Sequence, residues 1–264
     1  MIRKDLPENP QERKVIMLLS ATDIMHLHSN KMEWIKSPNI TVLEYPFDND
    51  SPILKTELYK SLEKENLINP GAILSQSPYN LDAYADATAF EDLILSNAKE
   101  KLYAFSVFCG KLGAKKVKGK YKKSERDTTN KEIGGKVNAI IPATIPATLE
   151  ADIKMYEDLE NKLEQKMELD DFYPNPNTNI EAAKEYLDKK HIFNDLELRY
   201  LLEAREIGIG SRKVSFSLTS ESKQSLKILG SIKYGPFNAD GNYEKKCSKF
   251  TDFKVDLEVE FGNG

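Results

Sequence analysis

At 264 residues, with 40% hydrophobic and 30% charged side chains and a formal net charge of -4, the chain holds enough material for one large domain or two ordinary ones. That balance excludes an overall positive field of the kind that gathers nucleic acid, and no run approaches the ~18 apolar residues of a membrane-spanning helix. The two cysteines, Cys109 and Cys247, stand in unrelated contexts without CxxC spacing, which excludes a disulfide framework and a four-thiolate zinc site.

In chain order, the opening MIRKDLPENPQERK is basic enough for a signal peptide, but the apolar run behind it, Val15 to Leu19, is shorter than the ~7–15-residue core such a peptide needs. A cytoplasmic location is the default expectation. That run reads as a first strand, Ile40 to Tyr45 as a second and Ala72 to Leu74 as a short third. Between the second and third, Ser51 and Pro52 predict a helix over 53–65, since serine caps a helix start and proline suits the first turn. From about Thr88 to Leu112, apolar residues at Phe90, Leu93, Ile94, Ala98, Leu102, Phe105 and Phe108 or Cys109 recur at spacings of three and four. A long helix is expected there, ended by Gly113.

Beyond Gly113 the period falls to two. Val117, Gly119 and Tyr121 share one side of a strand whose other side is lysine. After a polar turn over 124–135, ten apolar residues in a row obey the same period: Val137, Ala139, Ile141, Ala143, Ile145, Ala147, Leu149, Ala151, Ile153 and Met155. Extended at about 3.3 Å per residue, this run reaches roughly 60 Å, far beyond a common strand of five or six residues. Pro142 and Pro146 on its polar side each remove a ladder donor, so an edge position, a bend or a hinge is expected.

Residues 156–170 suit a helix through Leu159, Leu163 and Met167, which also keep the odd phase of the preceding run. The segment DDFYPNPNTN is a break. A helical hairpin follows over 180–190 and 196–207, with Asn179 and Asn194 as caps and Gly208 as the stop. Val214, Phe216 and Leu218 then alternate with polar residues, a phase continued loosely by Leu226, Ile228, Ile232 and Tyr234; Phe253, Val255, Leu257, Val259 and Phe261 alternate at the end. One-sided strands of this kind fit an antiparallel sheet with one dry and one wet face. The expected fold is therefore α+β. A small N-terminal α/β lobe at 1–112 precedes a long-stranded antiparallel lobe at 113–264, with a helical insertion at about 157–207.

Candidate chemistry is sparse. The sequence DIMHLH sets Asp23, His26 and His28 behind the first strand; two histidines at i and i+2 share a face in extended structure, whereas on a helix they point about 200° apart. An HxH pair at a strand end resembles the metal motif of amidohydrolase barrels. The further strand–helix units and later ligands of such a barrel are missing, so no metal site and no cofactor is expected. In an open α/β layer, ligands gather beyond the carboxyl ends of strands. Thr22, Asp23, Tyr45, Ser75, Gln76, Tyr79 and Asn80 follow the three strands and offer hydroxyl, amide and phenol groups without a nucleophile paired to a base, a set suited to binding rather than catalysis. Turn formation explains the same residues. Phosphate-loop patterns fail, because GKLGAKKVKGK lacks the required spacing. Lys115, Lys116, Lys118, Lys120, Lys122 and Lys123 concentrate positive charge on a strand, as a solvated edge or as a stripe for an anionic surface.

No reaction is predicted, and an enzyme is not expected. The leading expectation is an interaction or assembly protein of a bacterial-type cytosolic complex, docking through a sheet edge or the helical hairpin. A second is a membrane-perforating protein. The segments around 137–155 and 214–234 exceed the ~9–11 alternating residues that cross a bilayer in a barrel. In strand length and helical insertion this resembles the design of gasdermin-type or perforin-type pore formers, although no motif of either family is present. A small-molecule or nucleotide binder using the N-terminal loops is the third. Expected partners are a protein or a further copy of the chain, with anionic lipid as the surface for the lysines; nucleic acid is not expected.

Overall fold

The computed structural model describes residues 2–3, 6–122, 158–190, 192, 195–234, 243, 247 and 253–262; the alternating run at 137–155, with Pro142 and Pro146, and also Lys123 and His191 lie outside the described residues. The fold is α+β, with one mixed and one antiparallel sheet. Its chain divides into two units: Met1–Glu100 with Thr219–Thr251, and Lys101–Leu218 with Asp252–Gly264. The break falls inside the long helix, ahead of the expected boundary at 112, and a later stretch of chain belongs to the first unit.

The first unit holds a five-stranded sheet in the order β1-β3-β2-β4-β5, built from β1 (Ile2–Arg3), β2 (Val15–Leu19), β3 (Ile40–Glu44), β4 (Ile73–Gln76) and β5 (Tyr84–Asp86). Strands β1, β3 and β2 run parallel, whereas β4 is antiparallel to β2 and β5 to β4. β2 is apolar at every position because both its faces are covered: all five of its residues are buried. Ile16 and Leu18 pack with Leu58 and Leu62 of α2 (Glu57–Lys64). α1 (Ala21–Ser29) is capped by Ser20, whose Oγ accepts the Asp23 N–H.

Two local expectations shift. Residues 52–55 form a 3-10 turn rather than the start of the helix, and Thr56 caps α2 by accepting the Tyr59 N–H. The stretch behind Leu218, expected to continue in strand phase, is instead helix α7 (Ser222–Ser231). Its buried residues are Ser222, Ser225, Leu226 and Leu229, spaced by three and one so that they fall on one helical face. Ile228 is only half-buried.

In the second unit, the sheet order is β7-β6-β9-β8, antiparallel throughout, with β6 (Ala114–Lys122), β7 (Glu168–Phe172), β8 (Ser211–Ser217) and β9 (Lys254–Phe261). α3 (Phe90–Lys111) ends at Gly113, whose φ of 76° is the left-handed stop the sequence predicts. Residues 158–166 form α4, with Leu159 and Leu163 buried. The expected helical hairpin is α5 (Ile180–Lys189), capped by Asn179, and α6 (Leu196–Glu206). Asp195, one residue beyond the expected cap, accepts the Glu197 and Leu198 N–H groups.

The dry face of this sheet is lined by Val117, Val214, Phe216, Val255, Leu257, Val259 and Phe261, all buried. Phe105 meets Phe216 with ring centroids 4.9 Å apart. Lys101, wholly buried, donates to the Asp195 carboxylate at 3.0 Å and lies 4.5 Å from the Phe216 ring centroid. The pair joins α3 to the start of α6 within one low-dielectric pocket. Arg205 makes a second knot, donating to the Leu112 and Gly262 carbonyls and to the Thr178 hydroxyl. Among the described residues, no helix is long and apolar enough to cross a membrane.

Candidate functional site

The N-terminal residues expected to share a ligand site do not converge. Since β2 and β3 are parallel, Thr22, Asp23 and Tyr45 follow the same end of the first sheet; β4 runs the other way, pairing Ser75 with Val15. Gln76 N therefore donates to the Lys14 carbonyl at 2.9 Å, placing Gln76, Tyr79 and Asn80 toward the opposite end. Most of these groups are also engaged locally. The Gln76 amide, buried, donates to Leu81 O at 2.7 Å and to Tyr84 Oη at 3.3 Å. Tyr79, fully buried, donates its phenol to Glu221 at 2.9 Å, and Asn80 accepts the Asp82 N–H. Asp23 accepts from Ser20 Oγ at 2.6 Å, and burial, aided by the Asp23 carboxylate, pushes the Tyr234 phenol up. Thr22 is exposed and Tyr45 packs edge-on against Phe47. Ser75 is the exception, with a buried hydroxyl that has no partner among the described residues.

His26 and His28 lie on α1, so the helical geometry sends their imidazoles apart. His26 instead meets the Asn30 amide at 3.0 Å. Among the described residues no three His, Cys, Asp or Glu side chains gather closely enough to hold a metal ion. Burial pushes the Cys109 thiol well up, which removes the thiolate a nucleophile needs.

The lysine strand has a different outcome. Lys116, Lys118 and Lys120 of β6 stand between Phe172, Asp170 and Glu168 of β7 and Glu260, Glu258 and Asp256 of β9. Lys115 falls at a register shift between Ala114 and Lys116, and Lys122 faces Lys254. Across the sheet, the central row reads Asp170, Lys118, Glu258, Lys213, with signs alternating from one edge to the other. Ion pairs at 3.6 Å join Lys116 to Asp170 and Lys120 to Glu168, and one at 3.9 Å joins Lys213 to Glu258. Such spacing in exposed side chains contributes little to stability, and it sets carboxylates across from Lys116, Lys118 and Lys120. A shallow trough of about 910 Å³ runs over this wet face, lined by residues of all four strands.

Two further properties of the sheet were hidden from sequence reading. The first is where its connections leave. Lys120 opposes Glu168 at the exit of β6 and entry of β7; Ser217 opposes Lys254 at the exit of β8 and entry of β9; and Lys122 opposes Lys254. Both long connections, 123–167 and 218–253, thus depart from and return to one end of the sheet, each between hydrogen-bonded neighbours. Open edges are the second property. Among the described residues β7 and β8 each have a strand neighbour on one side only. Their charges differ in sign: β7 (ELDDF) is acidic and β8 (SRKVSFS) basic.

Comparison with protein-family models, curated proteins and solved structures returned no match for this chain. The class it defines rests on its own fold: an α+β protein whose antiparallel sheet is dry on one face, wet and lined by alternating charges on the other, and open at both edges among the described residues.

Proposed function

We propose that this chain perforates membranes by lengthening the two hairpins of its antiparallel sheet into a bilayer. The observation that carries the reading is the departure of both long connections from the same end of the sheet, between strands already paired as hairpin stems. Extending either stem adds ladder rungs in the existing register. A membrane hairpin needs two strands of about 9–11 residues and a turn, and each connection exceeds that length.

Residue parity supports the same reading. Val117, which lies on the dry face, is odd-numbered, as are Val137 through Met155 and then Leu159, Leu163, Met167 and Leu169, although residues 158–166 are the helix α4. A strand pair continued through these positions keeps one apolar side for lipid and one polar side for water. In the second connection Leu226, Ile228, Ile232 and Tyr234 keep the even phase of Val214 and Phe216, although residues 222–231 are helical and Thr219–Thr251 belongs to the first unit. A barrel also meets the demand that every backbone group be paired within the bilayer.

The test is release of a self-quenched dye from anionic vesicles by the full chain, before and after limited proteolysis. Release is expected in at least one state. Retention of the dye in both contradicts the proposal. A small-molecule reading lacks comparable support, because the residues that motivated it lie at two ends of the first sheet.

A further inference from the structure

We infer that the β7 edge of one copy pairs with the β8 edge of the next, so that the partner for both edges is a second copy of this chain. The inference deepens the perforation reading, on which it rests for closure into a ring; the pairing itself follows from the register of the sheet. Exposed edges carry rows of unpaired N–H and C=O groups that template another strand. Strand direction allows repetition. With four antiparallel strands, β7 and β8 run opposite ways, so a rotated copy brings β7 antiparallel to its neighbour's β8 and the alternation continues unbroken.

Charge selects the register. The row Asp170, Lys118, Glu258, Lys213 ends negative on β7 and positive on β8. Setting Asp170 of one copy opposite Lys213 of another prolongs the alternation across the junction, where opposite charges on facing strand residues stabilise pairing and like charges oppose it. Both side chains are accessible: Asp170 is 62% exposed and Lys213 80%. Joining β7 to β7 would face Glu168 and Asp170 with more carboxylates, and β8 to β8 would face Lys213 with its own kind. The contact is therefore heterologous, a geometry that closes into rings when the rotation allows.

The experiment uses the full chain carrying Cys247→Ser, Asp170→Cys and Lys213→Cys, incubated with anionic vesicles, oxidised and run on a non-reducing gel. A ladder of multimers is expected. Mixing chains that carry only Asp170→Cys with chains that carry only Lys213→Cys should stop at dimers, and either alone should stay monomeric. Absence of any ladder, or dimers from one single-cysteine variant alone, overturns the pairing. Should the substitutions perturb folding, as a thermal melt would reveal, charge reversal supplies the second arm. Asp170→Lys and Lys213→Glu should each lower the assembled fraction about tenfold, given the cost of juxtaposed like charges, and their equimolar mixture should restore it. A mixture as defective as its components overturns the inference. Dye release on the same samples under reducing conditions separates the two readings: a ladder without release removes perforation and leaves the edge pairing, whereas release without a ladder removes the edge pairing alone.

Discussion

The two sheets solve the problem of polar groups in opposite ways. In the first, β2 is buried on both sides and the polar residues around the strand ends are consumed internally, Gln76 by Leu81 and Tyr84 and Tyr79 by Glu221. The second buries one face only and leaves a wet face of alternating carboxylates and ammonium groups, with two edges unpaired among the described residues. A strand covered on both faces, as β2 is, serves as scaffold. A sheet with a wet face, long connections at a single end and two edges unpaired among the described residues has what the proposed lengthening needs.

Breaking the buried pair beneath the second sheet should have the largest effect. Asp195→Ala strips the carboxylate from Lys101 and the cap from α6, and a loss of about 3–5 kcal/mol in unfolding free energy is expected by urea titration. A loss below about 1 kcal/mol would contradict the role given to the pair. Next comes Gly119, where a Cβ would run into the Leu257 side chain and lie 3.0 Å from the Asp256 carbonyl. Gly119→Val should cost about 1–3 kcal/mol through overpacking, measured in the same way.

The contrast with the first sheet sharpens through Gln76→Ala, which leaves the Leu81 carbonyl short of a donor and should cost about 1–3 kcal/mol. If Gln76 instead served a ligand, the variant would melt normally and lose a ligand-dependent thermal shift. Alkaline titration probes the half-buried phenol of Tyr173. Burial pushes the Tyr173 phenol up to about 12, above its value in an unfolded chain. Its contribution to stability is full below about pH 10 and is lost as pH rises toward 12; Tyr173→Phe should flatten that decline, with Tyr84 and Tyr243, also raised by burial, retaining their share. Smallest is the effect of Lys120→Gln, whose partner Glu168 is 3.6 Å away on an exposed surface. It should change stability by less than about 1 kcal/mol, and a larger loss would mean that the wet face is a structural network.

Periodicity made much of this fold legible. β2, β3, α3, β6, β8, β9 and the α5–α6 hairpin follow from spacings of two or of three and four. α7 escaped because two of its four buried positions are serines, so an apolar-only pattern saw Leu226, Ile228 and Ile232 in false strand phase. β7 is hidden because its first residues fall in the helix expected over 156–170 and its last in the DDFYPNPNTN break, aspartates being poor strand formers; its pairing sets the β6 lysines opposite Glu168 and Asp170. The direction of β4 leaves no trace in hydrophobic period, and the expected ligand site split on that one reversal. Edge charge and the shared exit of both connections depend on register, which appears only when strands are paired.

Perforation requires the alternating run at 137–155 to face lipid on one side and water on the other. Single cysteines placed one at a time from 137 to 155, labelled with an environment-sensitive fluorophore and bound to anionic vesicles, test it most directly. Emission should alternate with a period of two, blue-shifted at odd positions in lipid and red-shifted at even positions in water. Emission that is uniform along the run, or that repeats every three to four residues, would contradict it.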